Sequence, residues 1–79
     1  MQSARPWTRF GRVLRDLRAA RSLSQVELAE RCLLDQTTIS LLERNERQPT
    51  LPTLYRISNA LELTIIELLE ELEKENSEE

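Results

Sequence analysis

From Phe10 to Leu72 the apolar residues recur three and four positions apart, and this period confines the chain to α-helices. Phe10, Val13, Leu14 and Leu17 stand at i, i+3, i+4 and i+7, as do Ile65, Leu68, Leu69 and Leu72. Strand-like alternation is absent, and a single glycine with three prolines leaves few interruptions. The expected fold class is therefore all-α, with five helices in one domain. Seventy-nine residues suffice for one core, and a chain of that size buries only about 60% of its unfolded surface. Association with a second copy is expected to supply the missing burial.

Capping signals divide the pattern. The first helix is expected from about Thr8 to Ala20, with Trp7 just before it. Ser24-Gln25-Val26-Glu27 is a capping box that opens the second helix, whose buried face is expected to be Val26, Leu28, Ala29 and Cys32. Asp35 then caps a third helix, Gln36 to Arg44, with Ile39 and Leu42 inward and Leu34 just ahead of the cap. Only two residues separate Cys32 from Asp35, so two short amphipathic helices meet at a tight turn, the arrangement called helix-turn-helix. Asn45 is placed to end the third helix in a left-handed conformation, and Arg47-Gln48-Pro49 leads out as a loop. A fourth helix is expected from about Thr50, with Pro52 in its first turn and Leu54, Ile57 and Leu61 inward. Leu63 closes the next loop. Thr64 and Glu67 form a second capping box that opens a fifth helix reaching about Leu72. The expected organisation is an N-terminal arm over 1–7, the helical domain over 8–72, and an acidic disordered tail over 73–79.

Composition removes several functions. There is one cysteine and no histidine, so an internal disulfide, a zinc site and histidine-dependent acid–base chemistry are all excluded. With no convergent carboxylate pair or activated thiol in view, no enzyme, cofactor or small-molecule ligand is expected. The start lacks the apolar core of a signal peptide, and no apolar run approaches the ~18 residues of a membrane span. A soluble protein in a reducing, cytoplasmic setting, away from membranes, is the expectation. The net charge of −3 conceals two halves of opposite sign. Residues 1–50 hold nine arginines against six acids, a net of +3, whereas residues 51–79 hold Arg56 and Lys74 against eight glutamates, a net of −6. Such a chain can face a polyanion with its front end only.

The stretch from Ser24 to Leu69, with Leu23-Ser24-Gln25, Leu28-Ala29, Thr38-Ile39-Ser40, Glu43-Arg44, Pro49 and Ala60-Leu61 as its marks, resembles the lambda repressor-like, Cro/CI-type (XRE) helix-turn-helix family. The resemblance covers about Phe10 to Leu69. Within that family the chain is most similar to small stand-alone regulators such as restriction-modification controller proteins. It implies a five-helix DNA-binding domain in a bacterial or phage cytoplasm, on nucleoid DNA, acting as a homodimer on a palindromic operator. Gln25, at the start of the second helix, then bonds a phosphate, and helix N-termini do attract phosphate oxygens; Ser24 beside it is a candidate for the same role.

On the third helix Gln36, Thr37, Ser40 and Leu41 are expected to project away from the core and meet base edges. Glutamine reads adenine with two hydrogen bonds, and threonine or serine serves base or backbone. Thr38 is a candidate phosphate contact, as are Arg44, Arg47 and Gln48, which follow the helix where the family usually grips backbone. Arg5 and Arg9 are candidates for an arm reaching backbone or minor groove. Arg18 and Glu43 match family positions that form a structural ion pair. In two places the chain departs from the family pattern: Leu33 replaces the usual turn glycine, and Asn45 replaces the glycine after Glu-Arg. A left-handed leucine costs roughly 1 to 2 kcal/mol, so this turn is expected to be strained or differently built. Ile65, Ile66, Leu69 and Leu72 offer more apolar surface than one small core needs and are the expected dimer interface. A second functional class stays open at this point: an antitoxin or adaptor module whose main partner is another protein.

Overall fold

The computed structural model describes residues 9–77 and, over them, five helices and no strands. They are α1 (Phe10–Ala20), α2 (Gln25–Cys32), α3 (Gln36–Glu43), α4 (Leu51–Ala60) and α5 (Ile65–Ser77). The N-terminal arm, with Arg5 and Trp7, lies outside the described residues. Arg9 is half-buried at the N-cap of α1.

Four of the five helix starts have a side-chain cap. Ser24 Oγ accepts the Glu27 amide at 3.0 Å and the Glu27 carboxylate accepts the Ser24 amide at 2.8 Å. Asp35 Oδ1 accepts the Thr38 amide at 2.8 Å, and Thr50 Oγ1 accepts that of Thr53 at 3.3 Å. Thr64 and Glu67 close the second reciprocal box at 2.9 and 3.0 Å. These bonds satisfy amides that the first turn of a helix leaves without partners. α1 is the exception, since Arg9 makes no side-chain cap; there the Gly11 amide donates to Asn45 Oδ1 at 3.0 Å instead.

The helix ends share one device. Ser22, Leu33, Asn45 and Glu62, one in each interhelical connection, hold left-handed φ values of 57, 59, 58 and 62°. Each lets the next amide reach back across the last turn: Leu23 to Arg18, Leu34 to Ala29, Glu46 to Leu41 and Leu63 to Ser58, at 2.8 to 3.1 Å. The turn between α2 and α3 therefore has the geometry a glycine would give, with the strain carried by a leucine whose side chain is 81% exposed.

The sole glycine serves another purpose. A Cβ on Gly11 would lie 2.2 Å from the Glu43 carbonyl oxygen, so α1 crosses the C-terminal end of α3 in backbone contact. Phe10, Leu14, Leu28, Cys32, Ile39, Leu42, Ile57, Leu61 and Leu68 fill the core between the five helices. Leu17, Leu34, Leu54, Leu63, Ile65 and Leu72 pack against its rim. Val26, expected inside, is 46% exposed. At 100° per residue it sits roughly 110° from the centre of the stripe made by Leu28, Ala29 and Cys32.

The tail also differs from expectation, for α5 runs on through residues 73–77 as helix. Arg12 of α1 pairs with Glu75 at 3.3 Å and Lys74 with Glu71 at 3.2 Å, which anchors turns that composition alone would let fray. Among the described residues no helix is long and apolar enough to cross a membrane.

Candidate nucleic-acid interface

The third helix presents two unlike faces. Ile39 and Leu42 are buried and Glu43 is 3% exposed, while Gln36 and Thr37 are exposed and Thr38, Ser40 and Leu41 half-buried. Of the four expected base readers, Gln36 and Thr37 stand clear of the core and Ser40 and Leu41 lie along its margin. The buried Ile39 and Leu42 side chains hold the inner face down; the outer face carries only groups able to hydrogen-bond or touch a methyl.

Behind this helix is a buried carboxylate. Glu43 Oε2 accepts Arg18 Nε at 2.6 Å and Oε1 accepts Arg18 Nη2 at 3.1 Å, a two-pronged pair of the kind guanidinium and carboxylate geometry favours. The Arg18 guanidinium is held above its ordinary pKa, chiefly by the Glu43 hydrogen bond, with burial opposing and the carboxylate's charge assisting. Arg18 Nη1 also donates to the Leu23 carbonyl at 2.8 Å, fastening the loop before α2. The structural ion pair expected from sequence is thus formed, and it joins α1 to α3. Arg15, one turn before Arg18, adds its guanidinium 3.9 Å from Glu43 Oε1. Sequence reasoning missed Arg15, although its i, i+3 relation to Arg18 places it on the same side of α1.

Gln25 is half-buried at the first turn of α2 and reaches both the ion pair and the first residue of α3. Its Nε2 donates to Glu43 Oε1 at 3.0 Å and its Oε1 accepts Gln36 Nε2 at 3.2 Å. The candidate phosphate residue and the leading candidate base reader therefore touch, across eleven positions of sequence. Ser24, beside them, has its amide and a hydroxyl lone pair committed to the capping box. Glu27 is held below its ordinary pKa by those Ser24 hydrogen bonds, the backbone amide's first.

Arg44, Arg47 and Gln48 are exposed beyond the end of α3. Arg44 is engaged locally, its Nε on the Ser40 carbonyl at 3.3 Å and its Nη1 3.5 Å from Glu46. The charge of Arg47 is one of the influences that hold the Asp35 carboxyl below its ordinary value, after the larger effect of the Thr38 hydrogen bonds. Thr38 itself spends its amide on that cap. The whole arrangement is a polar helix flanked by a helix N-terminus on one side and guanidinium groups on the other, which is what a polyanion with readable edges requires.

A helix-turn-helix family model, HTH_3, matches residues 14–68, well over half of the chain. The chain belongs to that family. Its members are DNA-binding transcriptional regulators of the XRE type rather than enzymes. Control protein C.MunI of a Mycoplasma species is 40% identical to it over 68 residues, 85% of this chain and 92% of that one. The restriction-modification controller protein C.Esp1396I superposes with a TM-score of 0.88 at 30% identity, over 98% of this chain and all of the other. The controller protein C.AhdI from Aeromonas hydrophila does so with 0.75 at 35% identity, over 78% of this chain and 94% of the other. As a helix-turn-helix regulator the chain has the architecture of these controller proteins, and the two elements named by the family are α2 and α3.

On α5 the expected dimer residues divide. Ile65 and Leu72 are half-buried against the core with Leu68 between them, whereas Ile66 and Leu69 are 64% and 42% exposed. The exposed pair borders a shallow groove lined also by Glu70, Glu71, Glu73 and Lys74.

Proposed function

We propose that this protein is a sequence-specific transcriptional regulator that binds a palindromic operator as a homodimer, and that it serves as a restriction-modification controller. The observation that carries the reading is the exposure of Gln36 and Thr37 on a helix whose other face is buried at Ile39, Leu42 and Glu43. α3 enters the major groove. Gln36, Thr37, Ser40 and Leu41 meet base edges, and Ser24, Gln25, Thr38, Arg44, Arg47 and Gln48 grip the flanking phosphates. The similarity to control and controller proteins along nearly the full chain supports the narrower role.

Ile66 and Leu69 face outward on α5, and pairing this face with its twin about a two-fold axis removes both from water. Ile65 and Leu72 then back the interface from the core side. A two-fold pair of reading helices calls for half-sites about 34 Å apart, one turn of the duplex.

The test is duplex selection from a random pool followed by titration at ~50 and ~200 mM salt. A preferred palindrome and a loss of affinity on the order of a thousandfold between the two salts are expected for six or more phosphate contacts. Arg47→Ala should weaken all duplexes alike and lower the salt slope by about one unit. Equal, weak binding to every duplex would sink the reading and point instead to a protein partner.

A further inference from the structure

Arg18, Glu43, Gln25 and Gln36 form one continuous hydrogen-bonded chain from the core to the reading face, and the chain has a direction. A carboxylate only accepts hydrogen bonds. Glu43 therefore obliges Gln25 to turn its NH2 inward, as the 3.0 Å bond from Nε2 shows. The Gln25 carbonyl oxygen then faces Gln36, which must in turn offer NH2, as the 3.2 Å bond from its Nε2 shows. With one N–H so engaged, Gln36 has a second N–H and its carbonyl oxygen left for a base: one donor and one acceptor. Adenine presents the complement, N7 and the N6 amino group, whereas guanine presents two acceptors, N7 and O6.

We propose that Glu43, held by Arg18 and acting through Gln25, is a positioning residue that fixes which way round the Gln36 amide is shown to DNA, so that α3 reads adenine over guanine at one base pair. The inference rests on the DNA-reading role of α3 given above. The buried acid thereby sets specificity without approaching the duplex. Were the carboxylate an amide, each link in the chain could reverse, and a reversed Gln36 would show two N–H groups outward, the pattern guanine accepts.

The experiment uses the full chain and duplexes selected from a random pool. Gln36→Ala first identifies the base pair it reads, by the position at which preference relaxes. Four duplexes differing only there are then titrated with the parent protein, with Glu43→Gln and with Gln25→Met, each variant checked for its helical circular dichroism. The parent should prefer adenine over guanine on the order of tenfold, and both variants should reduce that ratio to about twofold or less. Gln25→Met leaves the ion pair intact and gives a folded protein even if Glu43→Gln, which strips Arg18 of its counter-charge, does not. Its overall affinity falls as well, through the lost phosphate contact, so the adenine-to-guanine ratio, not affinity, is the readout.

A ratio unchanged in the folded variants, at a base pair that Gln36→Ala relaxes, overturns the directional chain while leaving α3 as the reading helix. If Gln36→Ala relaxes no position, Gln36 reads no base and the chain is overturned likewise. A pool that yields no preferred duplex overturns both this inference and the regulator reading.

Discussion

Asn45 and Gly11 meet where α1 crosses the end of α3, and each does what the other's residue type could not. Asn45 tolerates φ 58° and also lends its side-chain oxygen to the Gly11 amide, while Gly11 lets two backbones touch. Gly11→Ala places a methyl against the Glu43 carbonyl and should cost about 3 kcal/mol, read as a lowered midpoint in denaturant. Leu33→Gly should act in the opposite sense. Relief of roughly 1 to 2 kcal/mol of left-handed strain outweighs the added freedom of the unfolded glycine, for a net gain of about 0.5 to 1 kcal/mol and a higher melting temperature. At Cys32 burial pushes the thiol from 9.0 up to about 11. The folded state thus keeps the proton longer than the unfolded chain does, so stability is intact below pH 9 and declines as pH rises toward 11. Cys32→Ala should show a shallower decline over that window in alkaline unfolding curves. The sequence announced Asn45 as a helix terminator because that role is local. Its second role, capping a helix 34 positions away, leaves no local mark, and neither does the backbone crossing that demands glycine at 11.

At the level of helices, most of what the sequence implied follows from caps and periodicity. Four of the five starts are fixed by a side chain within three residues of its target, and such contacts are legible before folding. The end of α5 was not legible in this way, because the Arg12–Glu75 pair that steadies it joins opposite ends of the chain. The inward and outward faces of α5 were blurred for a related reason. Ile65, Leu68 and Leu72 share one side, and at 100° per residue Leu69 lies roughly 65° and Ile66 roughly 125° from its centre, so one apolar stripe serves two surfaces. In the candidate site, the chemistry of Gln25 and Gln36 could be read from their positions at helix starts; their contact with each other and with Glu43 required the crossing of α2 and α3. The caps carry a pH dependence. Glu27 and Asp35 both titrate below their ordinary values of 4.5 and 3.8, so their contribution is present above those values and is lost as pH falls through the lower folded ones. Helical circular dichroism should therefore fall on acidification below about pH 4, and Asp35→Asn should flatten part of that change.

For the whole molecule, the exposed Ile66 and Leu69 are where the proposed homodimer is put to the test. Leu69→Asp and Ile66→Asp should sediment as monomers with intact helicity and bind the selected duplex at least about tenfold more weakly, since one half-site then holds the protein alone. A variant that remains a dimer would remove α5 from the interface. The arrangement of charge agrees with this division: the arginine-rich front carries α1 to α3, and the glutamate-rich back carries α5. α1 packs against α3 and against α5, and near its N-terminal end backbone contact at Gly11 and the Arg12–Glu75 pair fasten it to each. A dimer built on α5 would therefore behave as a rigid caliper whose jaws are the two copies of α3 and whose bar is α1. One extra base pair inserted between half-sites shifts the second by about 3.4 Å along the axis and rotates it by roughly a tenth of a turn. A hinge could absorb that error, but a caliper closed by backbone contact has no such slack, so operator spacing should be as strictly specified as operator sequence.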